Sequence, residues 1–190
     1  MATPAQQTLR VEFDLNENDI AYFRERLSKS RQKRGVRDDG QVVEKAEALI
    51  DEAKAANAPH FVVERIEKLK TMLGMLTDHD WDLTGEEREH VFDMLAYFAD
   101  PKDLIADHIP GLGFIDDAIM IELVAMELEP EIEAYIDFCV NREELKAGST
   151  DASSIDQSRD YLQRRMRRRR RRRAGGGSDM LVSLFQSSGG

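Results

Sequence analysis

An apolar stripe at Val62, Ile66, Leu69, Leu73 and Leu76 leaves this chain little choice of secondary structure. Steps of three and four residues put all five on one side of an α-helix, whereas in a strand they would scatter over both faces. The spacing recurs at Val42, Ala46, Leu49 and Ala53, at Val91, Leu95 and Phe98, and at Ile132, Ile136, Cys139 and Val140. Each set reads as the inner face of a helix. "DDAIMIELVAMELE" is apolar on nearly every side and predicts a central, buried helix. Only Leu9, Val11, Phe13 and Leu15 alternate as a strand would. The fold class is therefore all-α, a small helical bundle ending near residue 147.

Local signals mark where these helices begin. Asn16 with Asp19 suits an N-terminal cap, and Leu15 with Ile20 a hydrophobic staple. Thr84 with Glu87 predicts a capping box for a later helix, and Pro59 and Pro130 suit first turns. Three regions follow. Residues 1–40 hold an N-terminal helix and the linker "RQKRGVRDDGQ", and residues 41–147 form the bundle. Residues 148–190 read as a flexible, disordered Arg-rich tail. Their polar and glycine-rich composition cannot by itself build a core.

Charge sharpens that division. Residues 164–190 carry nine arginines against one acid, Asp179, while residues 1–163 carry 18 basic and 36 acidic side chains. The overall charge of −10 describes neither part. No run of 18 apolar residues predicts a membrane span, and the start lacks a basic end followed by an apolar stretch. The single Cys139 excludes an internal disulfide and a cysteine zinc cluster. A cytoplasmic location is expected, with a peripheral position at the inner face of the membrane as the variant the basic tail would allow.

Turn residues concentrate in "PKDLIADHIPGLGFIDDAIMI", residues 101–121. Pro101 favours a helix start, Pro110 forces Ile109 to be extended, and Gly111 and Gly113 permit positive φ or close backbone approach. Asp116 and Asp117 then fall in the first turn of the next helix, where exposed amides favour negative charge. These residues predict a tight Pro/Gly helical hairpin.

The same stretch resembles the signature of the YkvA-like proteins, a bacterial domain of unknown function (1232), over residues 95–124. Tyr97, Pro101, Asp103, Leu104, Ile105, Asp107, Ile109, Pro110, Gly111, Gly113, Asp116 and Asp117 match its pattern. Ala106 departs from it, standing where the family usually has proline, which implies a milder first kink. The resemblance implies an α-helical domain with no established reaction and, in some relatives, an association with membranes.

Two kinds of site are readable. Asp103, Asp107, Asp116 and Asp117 offer hard oxygen ligands for Mg2+ or Ca2+, provided the hairpin brings them together; otherwise each caps a helix end or faces solvent. "DHDWDLTGEERE" spaces Asp78, Asp80, Asp82 and Glu89 as a calcium loop does, but places Leu83 where glycine is required, so it reads as a solvated inter-helix loop. Its Trp81 reads as half-buried packing, with a partner anchor as the rival. His60, His79, His90 and His108 show no zinc spacing, and Cys139 reads as core. No residue is assigned a catalytic role.

The second site is the arginine run: Arg164, Arg165, Arg167, Arg168, Arg169, Arg170, Arg171, Arg172 and Arg173. Mutual repulsion opposes their compaction, so the expected partner is anionic: nucleic acid bound nonspecifically, a lipid surface, or the acidic body of the molecule itself. No aromatic interrupts the run, which argues against base stacking and sequence reading. Beyond it, residues 180–185 form an apolar segment suited to a groove on a protein partner, to this bundle, or to a lipid interface. The sequence thus predicts a non-enzymatic interaction module with a polyanion-binding tail. A divalent-cation protein using the aspartates and a peripheral membrane protein are the alternatives.

Overall fold

A computed structural model of the chain describes residues 16–32, 39–56, 58–99, 114–148 and 152–175. They form seven α-helices: α1 (Glu17–Gln32), α2 (Asp39–Ala55), α3 (His60–Thr77), α4 (Gly85–Leu95), α5 (Ile115–Glu127), α6 (Glu129–Ala147) and α7 (Ala152–Gly175). A short 3₁₀ turn, Ala96–Ala99, follows α4. No strand occurs among the described residues. Residues 1–15, with the Leu9–Leu15 alternation, and the Pro/Gly hairpin at 100–113 lie outside them.

The first helix begins as its residues require. Asn16 Oδ1 accepts from the amides of Asn18 (2.8 Å) and Asp19 (3.2 Å), and Asp19 Oδ2 accepts from the Asn16 amide (3.0 Å). Two orphan amide groups of the first turn and the cap's own amide are thereby satisfied. The capping box expected at Thr84 does not form: Thr84 precedes α4 without a side-chain bond, and Glu87 turns to α7 instead.

At the centre stands α3, packed against α2, α4, α5 and α6. Its stripe is buried through Val62, Ile66, Leu69 and Leu73, joined by Met72 and Met75. The α2 stripe is buried as spaced. Although α5 is buried or half-buried along most of its length, the hub is α3. Leu128 alone separates α5 from α6. Its amide donates to the Val124 carbonyl (2.9 Å) and its own carbonyl accepts from Ile132 (2.9 Å), so one residue closes one helix and opens the next.

Two expectations are corrected. The inner face of α6 is Ala134, Tyr135 and Phe138, while Ile136 and Val140 are 48% and 53% exposed. Ile132 and Cys139 of the predicted face stay packed against the core, whereas Ile136 and Val140 turn toward solvent because the aromatic residues of α6, with more surface to hide, take the core side. The bundle also continues past residue 147. Residues 152–175, assigned by composition to a flexible tail, form α7, which runs along α6 and contributes Leu162 and Met166 to the core. The rest of that tail, residues 149–151 and 176–190, lies outside the described residues.

Candidate functional site

The arginine run is helical, and the helical period sorts it. Ile155, Leu162 and Met166 share the side of α7 that faces the bundle; Leu162 and Met166 are at most 2% exposed. Gln163, beside them, donates from Nε2 to the Trp81 carbonyl at 2.7 Å. Flanking this seam, Arg165 pairs with Asp137, Arg169 with Glu133, and Arg173 with Glu129 at 2.7 Å. Partners rise by four along α7 as they fall by four along α6, so the two helices are antiparallel and their charges mesh in one register. Arg167 Nε donates to Glu87 of α4 at 2.9 Å, and Arg170 lies 3.8 Å from Glu131. Self-repulsion along the run is thus offset by the acids of the body.

The other arginines point away. Arg164, Arg168, Arg171 and Arg172 are exposed, at positions i, i+4, i+7 and i+8 of α7. That spacing confines them to an arc of about 100° and a length of about 12 Å. Arg164 Nε donates to the Asp160 carbonyl (3.1 Å); among the described residues none of the four has an acidic partner. Tyr161 extends the same face and is 59% exposed. Arg172 also lies in the last turn of α7, where the helix dipole favours cations.

Glu131 stands out among the acids. It is 1% exposed, and neither carboxylate oxygen accepts a hydrogen bond. Burial pushes its carboxyl above the ordinary value of 4.5, and its own backbone N–H, close by but outside hydrogen-bond geometry, pulls back only in part with the charges of Arg170 and Arg173.

A second polar cluster pins the loop between α3 and α4. Asp78 Oδ1 accepts from the amides of Asp80 (2.9 Å) and Trp81 (3.3 Å), closing a turn that carries Asp82 at φ 43°. Arg142 Nη1 donates to both Asp78 oxygens (2.8 and 2.6 Å) and the Tyr135 hydroxyl to Oδ2 (3.0 Å). Burial raises the Asp78 carboxyl, but the bonds from Arg142 and Tyr135 outweigh it and hold the group below its usual range. Burial and the neighbouring Cys139 and Asp78 push the Tyr135 hydroxyl up. Trp81 is fully buried, its ring against Tyr135 and Phe138 (5.6 and 5.1 Å between centroids). The loop is therefore docked, not solvated, and the cations met by Asp78 and Asp80 are Arg142 and Lys146. Cys139 is half-buried at the edge of the core.

Of the signature residues, Tyr97 is buried in the 3₁₀ turn, edge-on to Phe98 (5.3 Å), with the Arg26 guanidinium 6.0 Å over its ring. Asp116 and Asp117 lie buried in the first turn of α5. Pro101, Asp103, Asp107, Pro110, Gly111 and Gly113 lie outside the described residues, so the structure places only two of the four acids of the candidate Mg2+ or Ca2+ site. Among the described residues no three metal-ligating side chains gather.

Fold and site together define an all-α bundle clasped by a basic helix. One family model, described as a protein of unknown function (DUF1232), matches residues 91–123, from α4 through the turn and into α5. The YkvA-like resemblance read from the signature agrees with that match. No curated protein and no solved structure matches the chain. No helix of the described residues is long and apolar enough to cross a membrane.

Proposed function

We propose that this protein is a non-enzymatic helical module that binds a polyanion through the outward face of α7, and that the polyanion is nucleic acid held by its phosphates. The observation that carries this reading is the sorting of the arginines: the body neutralises five and leaves Arg164, Arg168, Arg171 and Arg172 exposed in a row. The helix sets the four arginines on one face, so forked donors are presented without first having to order the backbone. No aromatic side chain lies between them, although the exposed Tyr161 borders the row, so they would read mainly backbone and not base.

A lipid surface is the weaker candidate. An interfacial helix needs a free apolar side to enter the headgroup layer, and the apolar side of α7 is occupied by α6.

The test is fluorescence anisotropy of a labelled 20-base-pair duplex across a salt series. Four phosphate contacts give a slope of log K against log salt of about −3.6. Replacing the four outward arginines by Gln abolishes that slope and leaves the melting temperature unchanged. Equal binding by this variant, or binding to anionic vesicles without binding to the duplex, overturns the reading.

A further inference from the structure

A groove of about 420 Å³ runs between α3, α5 and α6, floored by Ala125, Met126, Ile132 and Ile136. Ile136 is 48% exposed there, on the α6 face that the amphipathic pattern predicts to be covered. Acids dominate the rim, with Lys68 bound to Glu122 (2.6 Å) and Arg173 to Glu129 (2.7 Å).

Where α7 ends bears on what fills this groove. Because α7 is antiparallel to α6, its C-terminal turn arrives at the groove, and Arg173 is itself part of the lining. Fifteen residues follow Gly175. Their apolar residues, Met180, Leu181, Val182, Leu184 and Phe185, all fall within six positions, reached through Gly176, Gly177, Ser178 and Asp179. Five steps from Gly175 to Met180 span up to about 17 Å, and they start two residues beyond Arg173, which already lines the groove. A tether this short gives an effective concentration on the order of 1 mM, so an apolar contact is mostly occupied once its dissociation constant falls below about 1 mM. Charge agrees: the 15 residues contain one acid, Asp179, and so bring little repulsion to an acidic rim.

We infer that residues 180–185 fold back into the α3–α5–α6 groove of their own chain, covering Ile136 and Met126. This inference stands apart from polyanion binding, which uses the opposite face of α7.

The experiment places the photoreactive p-benzoylphenylalanine at position 185 of the full chain and maps its adducts by mass spectrometry. Adducts to Met126, Ile132 or Ile136 within one chain are expected, with a yield cut at least five-fold by Ile136→Asp and by Met126→Gln, each checked for intact helicity. Adducts that join two chains overturn the inference and make the occupant a second copy. It is equally overturned by adducts elsewhere, by no adduct, or by a yield that both variants leave intact.

Discussion

Shortening Leu162 to alanine tests whether α7 belongs to the folded body. Leu162 is 2% exposed and lies on the seam between α7 and the bundle, next to Met166. The substitution removes three carbons' worth of buried side chain, about 2.4 kcal/mol of transfer free energy, and leaves a cavity in addition. Together these cost about 2–5 kcal/mol. In a chain of this size that lowers the melting temperature by roughly 4–20 °C. The single Trp81 is a built-in reporter, since it is fully buried and its carbonyl is bonded to Gln163 of α7. Thermal unfolding followed by Trp81 fluorescence and by helical circular dichroism should show one shared transition that shifts as a whole. Arg172→Ala, on the exposed face, is the control and changes stability by less than about 0.5 kcal/mol. If Leu162→Ala melts with the wild type, or helicity is lost well before Trp81 responds, α7 is not part of the cooperative core.

Gly74 and Glu131 offer two further predictions. A Cβ on Gly74 would meet the Tyr135 Oη at 2.8 Å and its ring carbons at 3.1 and 3.2 Å. Gly74→Ala should therefore destabilise by about 1–3 kcal/mol of overpacking, set against about 1 kcal/mol of helix propensity. The loss should shrink in a Tyr135→Phe background, measured as a double-mutant cycle in urea. Glu131→Gln should stabilise at neutral pH by about 1–2 kcal/mol, because a buried carboxylate without a hydrogen bond is removed. Its folded pKa is raised, so wild-type stability is full below the unfolded value near 4.5 and falls as pH rises toward the folded value. The gain in Glu131→Gln should vanish in melts below about pH 4.5; a gain that persists there refutes the role of charge burial.

Much of the fold was legible because burial of a stripe and helical spacing are the same fact seen twice. Val42, Ala46, Leu49 and Ala53 lie buried where their periodicity puts them. On α6 the rule failed. Tyr135 and Phe138 compete with Ile136 and Val140 for the inner side, and a pattern that counts apolar residues without weighing their area cannot decide between them. Seven consecutive arginines, from 167 to 173, masked α7. Composition marked them as unable to fold, yet Glu129, Glu133 and Asp137 repeat at the spacing of Arg165, Arg169 and Arg173. Ile155, Leu162 and Met166 supply a sparse stripe as well. That complementarity was readable, but only by comparing two segments 36 residues apart. The Asp78–Arg142 pair carries no local signal at all, since its partners are brought together by the crossing of α3 and α6.

The meshed charges between α6 and α7 are degenerate. Within a homopolymer of arginine, sliding α7 by one helical turn presents nearly the same cations to the same carboxylates, so electrostatics supplies adhesion without an address. Ile155, Leu162, Met166, the amide of Gln163 and the Ser158 hydroxyl bonded to Asn141 (3.3 Å) are marks along that edge that do not repeat. That seam of uncharged side chains, not the nine cations, thus fixes where α7 sits along α6.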